Sequence, residues 1–204
     1  MLININRYHR KHEIYEFRYQ LAILCYNMVN KNDHYNGILN DPKFLEFHFK
    51  KYYPTKHFIR SDTDIRVAIS LWCENRMLAE EKYGHIEDWD TSNVTNMSML
   101  IYYKGLFNDN IEDWDVSNVT DMSGMFAGAT SFNRSLNNWD VSNVTNMRSM
   151  FIFTKSFNQP LNNWDVSNVT DMNSMFDGAE SFNQPLNNCD VSHVTYMNSM
   201  FIFA

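Results

Sequence analysis

Hydrophobic positions return with a period of 25 residues through the second half of the chain. Trp89, Trp114, Trp139 and Trp164 are spaced at that interval, and Cys189 takes the next place. Within one period Leu136, Trp139, Val141, Val144, Met147, Met150, Phe151 and Phe157 are apolar, and the positions between them are mostly Asn, Asp, Ser and Thr. Neither a helical spacing of ~3.6 nor a strand spacing of ~2 runs through the whole period, so each period holds several short elements. The alternation at Trp139 and Val141 predicts a short strand with both side chains inward. Val144 and Met147 continue the core after a turn. Met150, Phe151 and Phe157 line a return segment, which Gly128 and Gly178 close in two of the periods. One such coil cannot bury its own apolar face, so neighbouring coils are expected to stack and share a core.

Leu136, Trp139 and Val141 follow the L-x-x-L-x-L spacing of a leucine-rich repeat. The predicted fold is therefore α+β: a leucine-rich-repeat-like solenoid of 25-residue coils over residues 86–204, about five coils with the last incomplete, behind an α-helical N-terminal region. The strings W-D-V-S-x-V-T-x-M-x-x-M-F and S-F-N-Q-P-L-N-N, with the segment from Asp64 to Trp72 and the turn Tyr83-Gly84-His85-Ile86 ahead of them, resemble the BspA-like leucine-rich-repeat family, also called surface-antigen repeats. The resemblance covers about residues 62–204. It implies an adhesion or interaction protein without catalytic residues.

Ahead of the repeats, Ser61 or Asp62 can cap a helix running to about Tyr83, where Gly84 supplies the stop. Ile65, Ala68, Ile69, Trp72 and Ala79 share one face of it, and residues 62–84 are expected to lie as a capping helix over the first coil. Residues 1–58 are expected to form a helical N-terminal region, with helices over 12–29 and 42–53. The second begins with Asp41 as cap and Pro42 at the first helical position, and stops before Pro54. The string from Leu39 to Pro54 resembles the final helices of an F-box, without that motif's opening Leu-Pro. That resemblance implies an adaptor in which the repeats select the target.

Charge is unevenly distributed. Residues 1–61 hold 10 Lys and Arg against 5 Asp and Glu, net +5; residues 62–85 hold 3 against 5, net −2; residues 86–204 hold 4 against 14, net −10. An acidic repeat region repels phosphates and gains nothing from counterion release, which argues against nucleic acid as its ligand. The basic head and acidic tail are suited to dock on each other. Cys25, Cys73 and Cys189 are too few and too scattered for a disulfide framework and fit a reducing compartment. No stretch approaches the ~20 apolar residues of a membrane span, and Asn4, Asn6, Arg7 and His9 interrupt the first ten residues, unlike a signal peptide. The expectation is an intracellular protein if the chain is complete, and a surface or secreted one if it is a fragment lacking its export signal.

Asp90, Asp115, Asp140, Asp165 and Asp190 recur at one position and should form a ladder at the ~4.8 Å spacing of neighbouring strands. Each is expected to accept hydrogen bonds from the turn just after it, as in an Asx turn. A cation bridging the ladder is the alternative, but the Gly-rich spacing of calcium-binding coils is absent. Asn93, Asn118, Asn143 and Asn168 begin Asn-Val-Thr sequons, and pairing of each Asn with backbone is the expected use. Glu87, Asp88, Glu112 and Asp113 cluster on the first two coils. Catalysis needs carboxylates in unlike environments, whereas a uniform ladder gives them the same one. His9 and His12, with Arg7, Arg10 and Lys11, read as a solvated tail. With no zinc spacing and no phosphate-binding Gly loop, no catalytic residue, metal or cofactor is expected.

Two surfaces are candidates for a protein partner. The first is the polar strand face, Asp115, Asn138, Asp140, Ser142, Asn163, Asp165 and Ser167. The second emerges from comparing the coils, where the pair after the Met-Phe position reads Tyr102-Tyr103, Ala127-Gly128, Ile152-Phe153, Asp177-Gly178 and Ile202-Phe203. Odd coils are bulky and even coils are small. Tyr102, Tyr103, Ile152, Phe153, Ile202 and Phe203 therefore form either an exposed apolar stripe or core residues packed over their small neighbours. Met200, Phe201 and Phe203 are expected at an open C-terminal end prone to self-association.

Overall fold

A computed structural model describes residues 59–187 and 189–204, all within the unit Thr55–Ala204. The helices expected over 12–29 and 42–53, and the F-box-like string at 39–54, lie outside the described residues.

Helix α1 spans Asp62–Glu74. The Ser61 hydroxyl caps it by accepting the Asp64 N–H at 3.3 Å, and Asp62 and Asp64 set negative charge against the positive end of the helix dipole. Ile65, Ala68, Ile69 and Trp72 fall on one face and are buried. The single helix expected up to Tyr83 is interrupted at Asn75, whose φ of −148° and ψ of 87° leave the helical region. The Asn75 side chain accepts the Leu78 N–H at 3.1 Å and so starts α2, Arg76–Tyr83, which Gly84 ends at φ 73°. A short carboxamide can replace a backbone acceptor, the same competition that makes Asn a poor interior helix residue. A 3-10 turn, Ile86–Asp88, leads into the repeats.

From there the chain repeats itself in space every 25 residues. Met97, Met99, Ile101 and Tyr103 donate backbone N–H groups to the carbonyls of Asp121, Ser123, Met125 and Ala127 at 2.8–2.9 Å. Met122, Met147 and Met172 open the same run of bonds in the units that follow, donating to Asn146, Asp171 and Tyr196. Thr120, Thr145, Thr170 and Thr195 each return one bond to the corresponding Thr of the preceding unit. Isolated parallel bridges link Asn96, Asp121, Asn146, Asp171 and Tyr196 in succession, and among the described residues no longer strand forms. Left-handed residues explain this: Met99, Tyr103, Ser149, Phe153, Ser174, Ser199 and Phe203 have φ of 52–58° and break the extended run into turns. The strand expected at Trp139 to Val141 is displaced. Those residues lie between turns, and the ladder begins at Asn146.

The core is built in columns. Phe126, Phe151, Phe176 and Phe201 stack nearly parallel at 5.4–5.6 Å, and Phe107, Phe132, Phe157 and Phe182 at 5.9–6.0 Å. These ring spacings are wider than the ~4.8 Å typical of backbones paired in a sheet. The indole N–H of Trp114, Trp139 and Trp164 donates to the carbonyl of Ile86, Ile111 and Leu136 at 2.9–3.1 Å. Each buried donor is thus satisfied by the unit before it.

Helix α1 stands in for a unit before the first. The Asp62 carboxylate accepts the N–H groups of Thr95 and Asn96 at 2.7 and 3.0 Å and the Thr95 hydroxyl at 2.8 Å. The Arg66 guanidinium donates to the carbonyls of Ser98 and Asn96 at 2.7 and 3.3 Å. In later units those carbonyl positions accept from the preceding repeat. One acid and one guanidinium satisfy the first two N–H groups and the first two carbonyls of that edge.

Candidate functional site

The Asp ladder is a row of Asx turns. One carboxylate oxygen of Asp90, Asp115, Asp140, Asp165 and Asp190 accepts the N–H of the Ser two residues on at 3.0–3.1 Å. Asp115 and Asp140 also take the hydroxyl of that Ser, at 2.7 and 2.6 Å. The Ser167 hydroxyl and then its N–H hold the Asp165 carboxyl below its ordinary range; the Ser192 N–H and then its hydroxyl do the same for Asp190. The side-chain amides of Asn118, Asn143 and Asn168 donate to the carbonyls of Ser92, Ser117 and Ser142 at 2.8 Å, tying each unit to the last.

These bonds decide what the polar candidates have left to offer. Asn138, Asp140, Asn163 and Asp165 are exposed and Asp115, Ser142 and Ser167 half-buried, but they lie in turns or between them, away from the bridged positions of the ladder. Asn138 donates to Glu112 at 2.8 Å, and the Asn163 N–H goes to the side chain of Asn137 at 3.1 Å. In the acidic group of the first two units, Asp88 is buried, Asp113 is exposed, and Glu112 also accepts the Ser135 hydroxyl at 3.0 Å. Among the described residues no three His, Cys, Asp or Glu side chains converge on a metal site. Burial pushes the thiols of Cys73 and Cys189 up, away from the reactive thiolate.

The apolar candidates differ. Tyr102, Tyr103, Phe153, Ile202 and Phe203 are exposed and Ile152 is half-buried. Tyr103 and Phe153 keep 64% and 43% of their surface in solvent, yet each ring also lies over the glycine of the next unit. A Cβ on Gly128 would stand 3.0 Å from the Tyr103 ring, and one on Gly178 would overlap the Phe153 ring. One side of each ring packs on the glycine and the other faces solvent.

Residues 74–163 and 135–204 match the family described as "Mycoplasma protein of unknown function, DUF285", together more than half of the chain. The chain belongs to this family. No curated protein and no solved structure matches it. The two overlapping DUF285 matches run through the whole array of repeats and reach back to the last residue of α1. Among the described residues no helix is long and apolar enough to cross a membrane.

Two features of the DUF285 repeats escape the sequence reading. Tyr103, Phe153 and Phe203 occupy left-handed backbone, where the intervening units carry Gly128 and Gly178. The alternation of bulky residues with glycine was the available signal, but it does not reveal the sign of φ. The second is Asp177, at the position of Ile152 and Ile202, with its Oδ1 buried and without a hydrogen-bond partner. Nothing in its sequence neighbourhood marks it.

Proposed function

We propose that this chain is a noncatalytic protein-protein interaction module, built as a leucine-rich-repeat-like solenoid of the BspA-like kind, and that its partner docks on the apolar strip of Tyr102, Tyr103, Ile152 and Phe153. The observation that carries this reading is the left-handed backbone at Tyr103 and Phe153, φ 52° and 54°. An L-residue with a side chain costs about 1–2 kcal/mol there, and glycine would not. Backbone conformation alone favours glycine, which the alternate units have. Strained positions that carry large exposed side chains are a mark of a functional surface. The polar residues are the weaker candidate, because their carboxylates and amides already hold the units together.

Affinity capture from the native cell, run in parallel with the parent chain and a Tyr103→Gly/Phe153→Gly variant, tests the proposal. The expected result is a set of proteins retained by the parent and lost from the variant. Equal recovery of every captured protein by both would overturn it.

A further inference from the structure

We infer that the first repeat unit receives, along the open edge of its return segment, an extended segment of a partner protein that carries an apolar residue, a small residue and an Asp in succession. The inference stands apart from the apolar strip.

In every later unit the return segment is tied to the unit before it by two bonds. Ser131, Ser156 and Ser181 donate their N–H groups to the carbonyls of Gly105, Thr130 and Lys155 at 3.0–3.2 Å. Asn133, Asn158 and Asn183 donate theirs to the side-chain oxygens of Asn108, Asn133 and Asn158 at 2.9–3.0 Å. The equivalent donors of the first unit are the N–H groups of Leu106 and Asn108, and among the described residues neither meets an acceptor. Helix α1 replaces the missing unit at the ladder. At the return segment its bond is to Asp109, which accepts the Trp72 indole N–H at 3.1 Å and is joined by Arg76 of α2 at 2.6 Å. What remains is an open groove of about 480 Å³ whose lining includes Trp72, Lys104, Leu106 and Phe107.

The first unit departs from the others at this groove. Lys104 stands where Ala129, Thr154 and Ala179 are buried, and its ammonium has no hydrogen bond or ion pair among the described residues. Leu106 takes the position of Ser131, Ser156 and Ser181 and is 93% exposed. Unpaired N–H groups on an edge are a template for an added extended segment, whose carbonyls supply affinity and whose side chains supply specificity. The array shows what the edge accepts: a carbonyl and, three residues on, a side-chain oxygen, as Gly105 and Asn108 offer to the second unit. In that register the residue after the carbonyl lies beside Leu106 and is apolar. The next has to be small, because Phe107 is already covered to 4% exposure and no ring can stack on it as Phe132 does from the other side. An Asp then accepts the Asn108 N–H, and its charge pairs with Lys104. A lysine on an open edge serves in other proteins to repel a pairing strand, and the two roles predict opposite effects of its removal.

The test uses the full chain and a fluorescent peptide of about six residues, the usual length of a strand, with Leu, Ala and Asp in succession. Fluorescence anisotropy should show saturable binding, at least ~10-fold weaker for the peptide of reversed sequence, which keeps the charge and loses the register. A peptide with Asn in place of the Asp should bind the parent more weakly than the Asp peptide does. Lys104→Met should bind the two peptides equally, and no better than the parent binds the Asn peptide, with its melting temperature showing that the variant is folded. Absence of binding overturns the inference. Equal binding of the reversed peptide also overturns it, because attraction without register needs no edge. Unchanged or tighter binding of the Asp peptide by Lys104→Met makes the lysine a guard of the edge and overturns it as well.

Discussion

Single residues in this protein carry opposite kinds of cost. Trp139 is 2% exposed, stacks against Phe126 and donates its indole N–H to the carbonyl of Ile111. Replacement by Ala should destabilise the chain by about 3–5 kcal/mol, the usual range for a buried large aromatic. Denaturant titration reads this directly; a loss below ~1 kcal/mol would mean that the site collapses around the gap. Phe153 offers the contrast. Full burial of a Phe is worth ~1.5–3 kcal/mol, and this ring is little more than half buried, so packing contributes ~1–1.5 kcal/mol. The left-handed backbone costs ~1–2 kcal/mol. The two cancel, and Phe153→Gly should move stability by less than ~1 kcal/mol in either direction. A loss above ~2 kcal/mol would show the ring to be core and weaken its claim as a docking surface.

At the scale of elements, α1 is held to the first repeat by charge as well as by its apolar face. Burial alone would push the Asp62 carboxyl up. The N–H groups of Asn96 and Thr95, the Thr95 hydroxyl and the Arg66 guanidinium outweigh it, so the group lies below its ordinary range. A carboxyl lowered in the folded state stabilises fully above its unfolded pKa of ~3.9, and that stability is lost as pH falls through the folded value. The stability gap between the parent and Asp62→Asn should therefore be constant at neutral pH and shrink in acid, below about pH 4. Melting temperatures across that range check it, and a gap independent of pH would remove the carboxylate from the cap. Ser61, the acidic first turn and the buried face Ile65, Ala68, Ile69 and Trp72 were legible in the sequence, as were the 25-residue period and the Asx turns. The break at Asn75 was not, because a good cap residue also occurs inside helices. The ladder was misplaced for a related reason: hydrophobic alternation at Trp139 and Val141 reports burial, and burial there is real, but pairing is set by backbone conformation at Met99, Tyr103 and their equivalents. Neither the sign of φ nor the reach of an indole N–H to the previous unit leaves a mark on composition.

For the molecule as a whole, the units are equivalent in their ladder and alternate in their surface, so the array has a parity. Stability in a stack of repeats is close to a sum over units and neighbouring interfaces, and removing one unit normally costs one such increment. Here it should cost more. Deleting residues 115–139 joins Trp114 to Asp140 in register, with the ladder and the Trp column continuing, but it sets Tyr103 against Phe153 instead of Gly128. The Tyr103 ring then meets a side chain in place of a glycine, and since a Cβ on Gly128 would already stand 3.0 Å from it, the ring must shift. Deleting residues 115–164 removes two units and sets Tyr103 against Gly178, which restores the parity. The two-unit deletion should accordingly lose less than twice the stability lost by the single deletion. Introducing Phe153→Gly into the single deletion should raise its melting temperature, although the same substitution is nearly neutral in the full chain. Strictly proportional losses, with no rescue by Phe153→Gly, would show that the rings sit loosely on the surface and that the alternation of aromatic and glycine sets no constraint on how the repeats are ordered.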